Sequence, residues 1–102
     1  MTLTELQNRI IDLSLLKSVL VLDGKTKYFT RNVTCNDTGI MIRESRIPHT
    51  GERVVCGFLD FHKKFGTSNA DVYFQQISGA TPQKVIDVQE TRDHVCIVVE
   101  PQ

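Results

Sequence analysis

The chain has 102 residues, which suffice for one domain with one hydrophobic core, so we expect a single domain over residues 1–102. Hydrophobic residues make up 40% and charged residues 24% of the chain, a composition that argues against intrinsic disorder. Twelve Lys and Arg balance twelve Asp and Glu, which excludes a strong overall attraction to nucleic acid or anionic lipid.

The N-terminal segment has the pattern of an amphipathic helix. Thr2 and Glu5 form a capping box, which satisfies backbone N–H groups at a helix start. Apolar residues then recur at steps of three and four, which predicts a helix over residues 2–17 with one apolar face. Such a helix must bury this face on the sheet or on a partner. We expect an interaction surface formed by Leu3, Leu6, Ile10 and Leu13.

Short strand patterns follow the helix along residues 18–100. Asp23-Gly24 and residues 36–39 are turn signals, because Gly, Asn and Asp tolerate the positive φ of tight turns. Each is flanked by residues typical of strands, which predicts two hairpins. A third hairpin is predicted around residues 90–93.

The segment 52–61 (ERVVCGFLDF) is apolar on both of its alternating faces. This pattern is typical of a strand that is buried on both sides, so we expect the segment in the centre of the sheet. Gly57 within it predicts a bulge or a sharp bend. Residues 62–70 are predicted to be a loop.

These elements amount to one N-terminal helix and about six to seven short strands with turn signals every eight to twelve residues or so. Such spacing predicts a mainly β (α+β) fold, in which residues 18–100 form a small antiparallel β-barrel or a strongly bent sheet. The sequence contains no recognisable internal repeat.

The apolar runs and the cysteines indicate a cytoplasmic protein. The most apolar run, residues 13–22, contains Lys17 and is too short to cross a bilayer, so we expect no membrane association. Cys35, Cys56 and Cys96 are odd in number and contain no C-x-x-C pair, which predicts buried, reduced thiols.

The segment 48–53 (PHTGER) is similar to the linker that joins zinc-finger modules. A finger of that type needs two closely spaced cysteines and two closely spaced histidines. Cys35 is the one cysteine upstream of His49, and positions 43–45 hold no histidine. We therefore expect a loop here, no metal site and no other cofactor.

The sequence also argues against catalysis. Cys56 and His62 are the best pair for thiol chemistry, but along an extended strand they would be about 20 Å apart. No motif of a hydrolase, a metalloprotease or a nucleotide phosphate-binding loop occurs. We expect that the protein is not an enzyme.

The middle of the chain is mildly basic. Residues 25–64 hold eight Lys or Arg and four Asp or Glu, whereas from Asp71 onward there are two bases and five acids. Loops on a rigid barrel are the usual place for binding residues. The expected binding residues are Arg31, Arg43, Arg46, Lys63, Lys64 and Phe65.

The segment 33–61 resembles the middle of a PilZ domain, a small bacterial β-barrel. The residues that match the rhythm of the family are Gly39, Ile40, Ile42, Gly51, Glu52, Val54 and Val55. This resemblance implies that the closing hairpin supplies the last two strands of a barrel.

The residues with which PilZ domains bind cyclic di-GMP are not intact. The family uses an R-x-x-x-R motif before the barrel and [D/N]-x-S-x-x-G at a turn, where arginines bind phosphates and guanine edges. Here the turn is Thr34-x-Asn36-x-x-Gly39, and Arg31 has no second arginine at the required spacing. Family members without these motifs look like protein-interaction modules.

The sequence thus predicts a non-catalytic cytoplasmic adaptor that binds another protein or a copy of itself. The balanced charge and the acidic C-terminal hairpin argue against nucleic acid. The alternative left open is a small β-barrel that binds a nucleotide or single-stranded nucleic acid through basic loops.

Overall fold

The fold of this protein is described by a computed structural model that covers residues 1–37, 39–67 and 69–102. These residues form two helices and six strands. The helices are α1 (Leu3–Leu13) and α2 (Gly51–Phe65). The strands are β1 (Ser18–Asp23), β2 (Thr26–Asn36), β3 (Gly39–Ser45), β4 (Val72–Gln75), β5 (Gln83–Glu90) and β6 (His94–Val99).

The capping box at the start of α1 is confirmed. The Thr2 hydroxyl accepts a hydrogen bond from the Glu5 N–H at 3.2 Å and donates one to the Glu5 carboxylate at 3.2 Å. The helix ends earlier than predicted, at Leu13 instead of residue 17. Ser14 adopts an extended conformation with φ −162° and ψ 131°, which stops the helical ladder.

The six strands form one sheet that closes into a ring in the order β1-β2-β3-β4-β5-β6. The predicted antiparallel arrangement is wrong in part, because β1 pairs with β6 and β3 pairs with β4 in parallel. Parallel neighbours need a long crossover connection, and α2 provides it between β3 and β4. The ring is not a regular barrel, since β4 and β5 share two register pairs, Tyr73↔Lys84 and Phe74↔Gln83.

The segment 52–61 is not a central strand, because it lies within helix α2. Its buried residues, which follow a helical stripe, are Gly51, Val54, Val55, Phe58 and Phe61. The Thr50 hydroxyl caps the helix by accepting from the Arg53 N–H at 3.5 Å. Residues 62–65, predicted as loop, form the last turn, and Gly66 ends it with φ 78°. Ser68, in the same predicted loop, lies outside the described residues.

The three predicted hairpins are confirmed. The first turn lies one residue later than predicted, at Gly24-Lys25 and not at Asp23-Gly24, because Asp23 pairs with Thr26, and Gly24 has φ 58°. Asn36 pairs with Gly39 across the second turn, of which Thr38 lies outside the described residues. The third hairpin joins β5 and β6.

The structure contains a repeat that the sequence does not reveal, since each helix is followed by three antiparallel strands. The residue before each N-cap binds the first strand of the other repeat. The Val72 N–H donates to the Met1 carbonyl at 2.9 Å, and the Val19 N–H donates to the His49 carbonyl at 2.9 Å. A pseudo-twofold axis therefore relates α1 and β1–β3 to α2 and β4–β6.

The core contains the apolar face of α1, so this face is not the interaction surface that we expected. Leu3, Leu6 and Ile10 are each 0% exposed and belong to one cluster with α2 and the sheet, and Leu13 packs against it. The physical reason is that this helix has a sheet and a second helix on which to bury its apolar stripe.

The prediction of buried thiols is correct for one cysteine of three. Cys96 is buried, and burial raises the pKa of its thiol. Cys35 and Cys56 are free and exposed, because Cys35 lies on an outlying part of β2 and Cys56 on the outer face of α2. Among the described residues, no helix has the length and apolar character required to cross a bilayer.

Candidate binding groove beside strand β2

Strand β2 separates from β1 halfway along its length. In the described part of the chain, β1 pairs with β2 only at Thr26–Phe29, whereas β2 continues to Asn36. Beyond Phe29, β2 no longer pairs with β1, and the residues that precede α2 lie beside β1 instead. The Val19 N–H donates to the His49 carbonyl, and the Gly51 N–H donates to the Lys17 carbonyl, both at 2.9 Å. Helix α2 follows directly and lies next to the outer part of β2.

The outer part of β2 presents an unpaired backbone edge. A bulge between Thr30 and Val33 shifts its register against β3, and beyond it Asn36 pairs with Gly39 across a two-residue turn. The residues that close such a turn bond to each other, and along a ladder the backbone groups point alternately toward the partner strand and away. The N–H and C=O groups of Val33 and Cys35 therefore point away from β3.

A groove separates this edge from α2, and we call it the β2–α2 groove. Its cavity volume is about 350 Å³. It is lined by Asn32, Val33, Thr34, Gly57, Asp60, Phe61, Lys64 and Phe65. A smaller cleft of about 110 Å³ shares three of these residues and extends the groove to Arg31, Arg53 and Cys56.

The groove combines an apolar floor with a net positive rim. The rings of Phe61 and Phe65 are 4.9 Å apart, and Phe65 is 58% exposed. The Lys64 ammonium lies 5.6 Å from the centre of the Phe65 ring. Arg31, Arg53 and Lys64 face one acid, Asp60, among the lining residues of the groove and its cleft.

The pseudo-twofold axis places a second groove between α1 and β5, and there the chain fills it. The Arg9 guanidinium donates to the Val88 carbonyl at 2.6 Å and pairs with the Asp87 carboxylate at 3.4 Å. The Thr91 N–H donates to the His94 carbonyl at 2.9 Å and closes the hairpin turn, so by alternation along the ladder the carbonyl of Val88, three residues earlier, points away from β6 and toward Arg9 of α1. A side chain of the chain itself thus satisfies the open edge of β5.

The residue of α2 that corresponds to Arg9 is Gly57. Each lies two turns after the threonine that caps its helix, Thr2 or Thr50. Val33 corresponds to Val88, because each lies three residues before the residue that closes its hairpin turn, Asn36 or Thr91. With no side chain at Gly57, the Val33 carbonyl receives no counterpart of the Arg9 bond among the described residues. The groove stays open for this reason.

Gly57 also has a steric role, which differs from the predicted bulge. A Cβ on Gly57 would lie 3.0 Å from the Arg31 carbonyl oxygen, so the backbone of β2 approaches the helix closely at this point. This contact closes one end of the groove at Arg31. The larger cavity of the groove reaches Phe61 and Phe65.

Three of the six predicted binding residues line the groove, namely Arg31, Lys64 and Phe65. The structure does not bring Arg43, Arg46 and Lys63 into it, although all three are exposed. Among the lining residues that the sequence reasoning missed are Asn32, Arg53, Gly57 and Asp60. The last three share a helical face with Lys64, and this spacing becomes visible once the segment is read as a helix.

His49, on which the charges of the cleft residues Arg31 and Arg53 act, has a perturbed pKa. Burial lowers the pKa of His49 below its ordinary value of 6.5, and the charges of Arg31 and Arg53 lower it further. Its Nε2 lies 3.1 Å from the Ser45 hydroxyl. Because the folded pKa lies below the unfolded one, this histidine contributes stability above about pH 6.5, and the contribution decreases as the pH falls below that value.

We expect the Arg53→Ala variant to raise the pKa of His49 toward its ordinary value, because one of the two repelling charges is removed. The pKa is measured by NMR titration of the imidazole resonances in the wild type and the variant. Lys63→Ala, on the same helix, is the control and should leave the titration unchanged. An identical pKa in wild type and Arg53→Ala would contradict the electrostatic link between His49 and the groove.

The residues considered for catalysis do not converge. Cys56 and His62 lie on one helix, where each residue rotates by about 100°, so the two side chains point about 120° apart. Among residues 1–37, 39–67 and 69–102, no group of three or more His, Cys, Asp or Glu side chains is arranged to hold a metal ion. Cys56 is therefore not paired with His62 as a thiol nucleophile with its base.

A larger depression of about 580 Å³ lies elsewhere, between residues 80–83 and 100–102. Its one charged lining residue is Glu100, and none of the predicted binding residues lies there. The β2–α2 groove is the better site because it joins unpaired backbone groups, aromatic side chains and several charges. Comparisons of this chain with protein-family models, curated proteins and solved structures found no match.

Proposed function

We propose that this protein is a non-catalytic binding module that docks another protein through the β2–α2 groove. The observation that carries the proposal is the contrast between the two related grooves. Arg9 fills the one beside β5, whereas Gly57 leaves the one beside β2 open. A strand edge left unpaired is a template for contact with another chain.

The surroundings of the groove support protein as the ligand. Its lining mixes an apolar floor with charges of both signs, which is typical of protein interfaces. The partner is another protein or a second copy of this chain, and we place the interaction in the cytoplasm. The resemblance to PilZ domains without dinucleotide motifs implies the same kind of function, although four of the seven matching residues lie in helix α2. The docking proposal does not depend on that resemblance.

The proposal predicts that filling the groove abolishes docking. In Gly57→Arg the new guanidinium should reach the Val33 carbonyl, as Arg9 reaches the Val88 carbonyl, and occupy the space a partner needs. Displayed libraries of short random peptides are selected on the wild type and on this variant. We expect peptides that bind the wild type and lose at least tenfold in affinity on Gly57→Arg, about 1.4 kcal/mol.

Leu59→Arg is the matched control. It places the same side chain on the same helix at a residue that is 51% exposed and outside the groove, so peptide affinity should be unchanged. Circular dichroism and the melting temperature check that both variants are folded. Peptides that bind the wild type and Gly57→Arg equally well would disprove docking in the groove.

The alternative function is binding of a nucleotide or single-stranded nucleic acid. It is favoured by the presence of Arg31, Arg53 and Lys64 beside an exposed aromatic ring, since bases stack on aromatics within basic grooves. A ligand that binds the native state raises the melting temperature by mass action. A clear increase with cyclic di-GMP or a short oligothymidine, lost in Arg53→Ala, would replace the docking proposal with this alternative.

A further inference from the structure

We infer that the β2–α2 groove takes an extended acidic peptide segment, which pairs as an added strand with the edge of β2 at Val33–Cys35. The inference rests on the docking function proposed above and names the kind of partner. Addition of a strand to an open sheet edge is a common mode of peptide recognition, in which main-chain hydrogen bonds supply affinity.

The backbone of β2 offers the hydrogen-bonding pattern that an added strand requires. The N–H and C=O groups of Val33 and Cys35 point to the same side, away from β3, and no strand pairs with that side in the part of the chain that the structure describes. A peptide residue opposite Val33 would donate its N–H to the Val33 carbonyl. In the groove beside β5, the Arg9 guanidinium makes the corresponding bond to the Val88 carbonyl. Its own carbonyl would accept the N–H of Val33 or Cys35.

The space available fixes where the added strand lies. At Arg31 the helix touches β2, because a Cβ on Gly57 would lie 3.0 Å from the Arg31 carbonyl oxygen. The segment must therefore pair beyond this contact, where the groove opens toward the rings of Phe61 and Phe65. Successive peptide side chains alternate in direction, so every second one would lie on this apolar floor.

The charges of the groove select an acidic partner. Arg31 and Arg53 lie at the closed end of the groove and Lys64 near its open end, against the single carboxylate of Asp60. A partner guanidinium, which would copy Arg9, meets three positive charges and is disfavoured. Peptide N–H groups satisfy the Val33 carbonyl without that repulsion, and Asp or Glu side chains match the positive rim.

The test uses a peptide selected on the wild-type protein, with its backbone nitrogens methylated one at a time. Each methyl group removes one N–H donor and leaves the side chain in place. We expect alternate positions to lose at least tenfold in affinity, while the positions between them change by less than twofold, because only every second N–H faces β2. Affinity is measured by isothermal titration calorimetry.

A second measurement tests the charges. Replacing the acidic peptide residues by Asn or Gln should lower affinity severalfold, and Lys64→Glu should lower affinity for the acidic peptide in the same way. A peptide with Lys in place of its acidic residue should regain affinity on Lys64→Glu. Binding that is unaffected by these changes would overturn the acidic specificity.

The outcomes separate this inference from the docking proposal. If peptides bind the wild type and not Gly57→Arg, but methylation is harmless at every position, docking stands and strand addition is wrong. If methylation is damaging at every position of the peptide, it binds as a helix or another compact form, and strand addition is again wrong. If no selected peptide depends on the open groove, both proposals fail.

Discussion

Replacing Phe58 by Ala should lower the free energy of unfolding by about 3–5 kcal/mol. Phe58 lies in the middle of α2, is 0% exposed, and belongs to the cluster that joins both helices to the sheet. The variant loses the transfer free energy of the ring and leaves a cavity that rigid strands cannot fill. Since domains of this size are stable by about 5–15 kcal/mol, the loss is a large share of the total. Equilibrium unfolding in urea measures it.

Leu59→Ala provides the comparison on the next residue of the same helix. Leu59 is 51% exposed, so its truncation should lower the free energy of unfolding by less than about 1 kcal/mol. In a central strand, as residues 52–61 were expected to be, successive side chains would lie on opposite faces, both of them buried. Similar losses in the two variants would therefore favour the strand and contradict α2.

Gly51→Ala should lower the free energy of unfolding by about 1–3 kcal/mol, although Ala is the better helix former. A Cβ on Gly51 would lie 2.6 Å from the Ser14 carbonyl oxygen and 3.1 Å from the Leu15 Cα. Both are backbone atoms, so the strain cannot be relieved by rotating a side chain. The same contact holds the Glu52 N–H against the Leu15 carbonyl at 2.9 Å. Thermal unfolding measures the loss.

Gly57→Ala is the matched change two turns further along α2. Its Cβ would lie 3.0 Å from the Arg31 carbonyl oxygen, on an exposed bulge that can move by a few tenths of an ångström. The helix preference of Ala, worth about 1 kcal/mol, should offset this shift, so stability should stay the same or increase. A larger loss at Gly57 than at Gly51 would show that β2 is held rigidly against the helix.

The two glycines have different roles in the two repeats. Gly51 lets the start of α2 pass under the segment that leads from α1 to β1, which positions the helix beside β2. Gly57 then leaves unfilled the space that Arg9 occupies in the other repeat. One glycine supports the fold, and the other opens the groove on which both of our proposals depend.

Local chemistry in the sequence was sufficient for several elements. The capping box at Thr2 and Glu5, the turn at Gly24 and the last hairpin depend on residues close in the chain, so their patterns predict them. The apolar stripe of α1 was also visible in the sequence, but the surface against which the stripe packs was not. Its burial depends on α2 and the sheet, which come later in the chain.

The error at residues 52–61 has a physical cause. Val54, Val55, Phe58 and Phe61 satisfy both a helical stripe and a strand buried on two faces, so periodicity does not decide between them. The threonine cap at Thr50 and the basic last turn favour a helix, and only the helix can carry the chain from β3 to a parallel β4. With a strand assigned there, no helical face could be recognised, and Arg53, Gly57 and Asp60 were missed as groove residues.

By itself the sequence determined a β-rich fold, an amphipathic helix at its start, three tight turns and a basic middle segment. Composition and short-range patterns control these features, and both can be read along the chain. The tertiary structure decided the parallel closures of the ring, the repeat of a helix with three strands, and the groove beside β2. Each of these depends on which distant segments pair. Arg9 and Gly57 lie at corresponding positions of the two helices, and only the tertiary structure shows this correspondence.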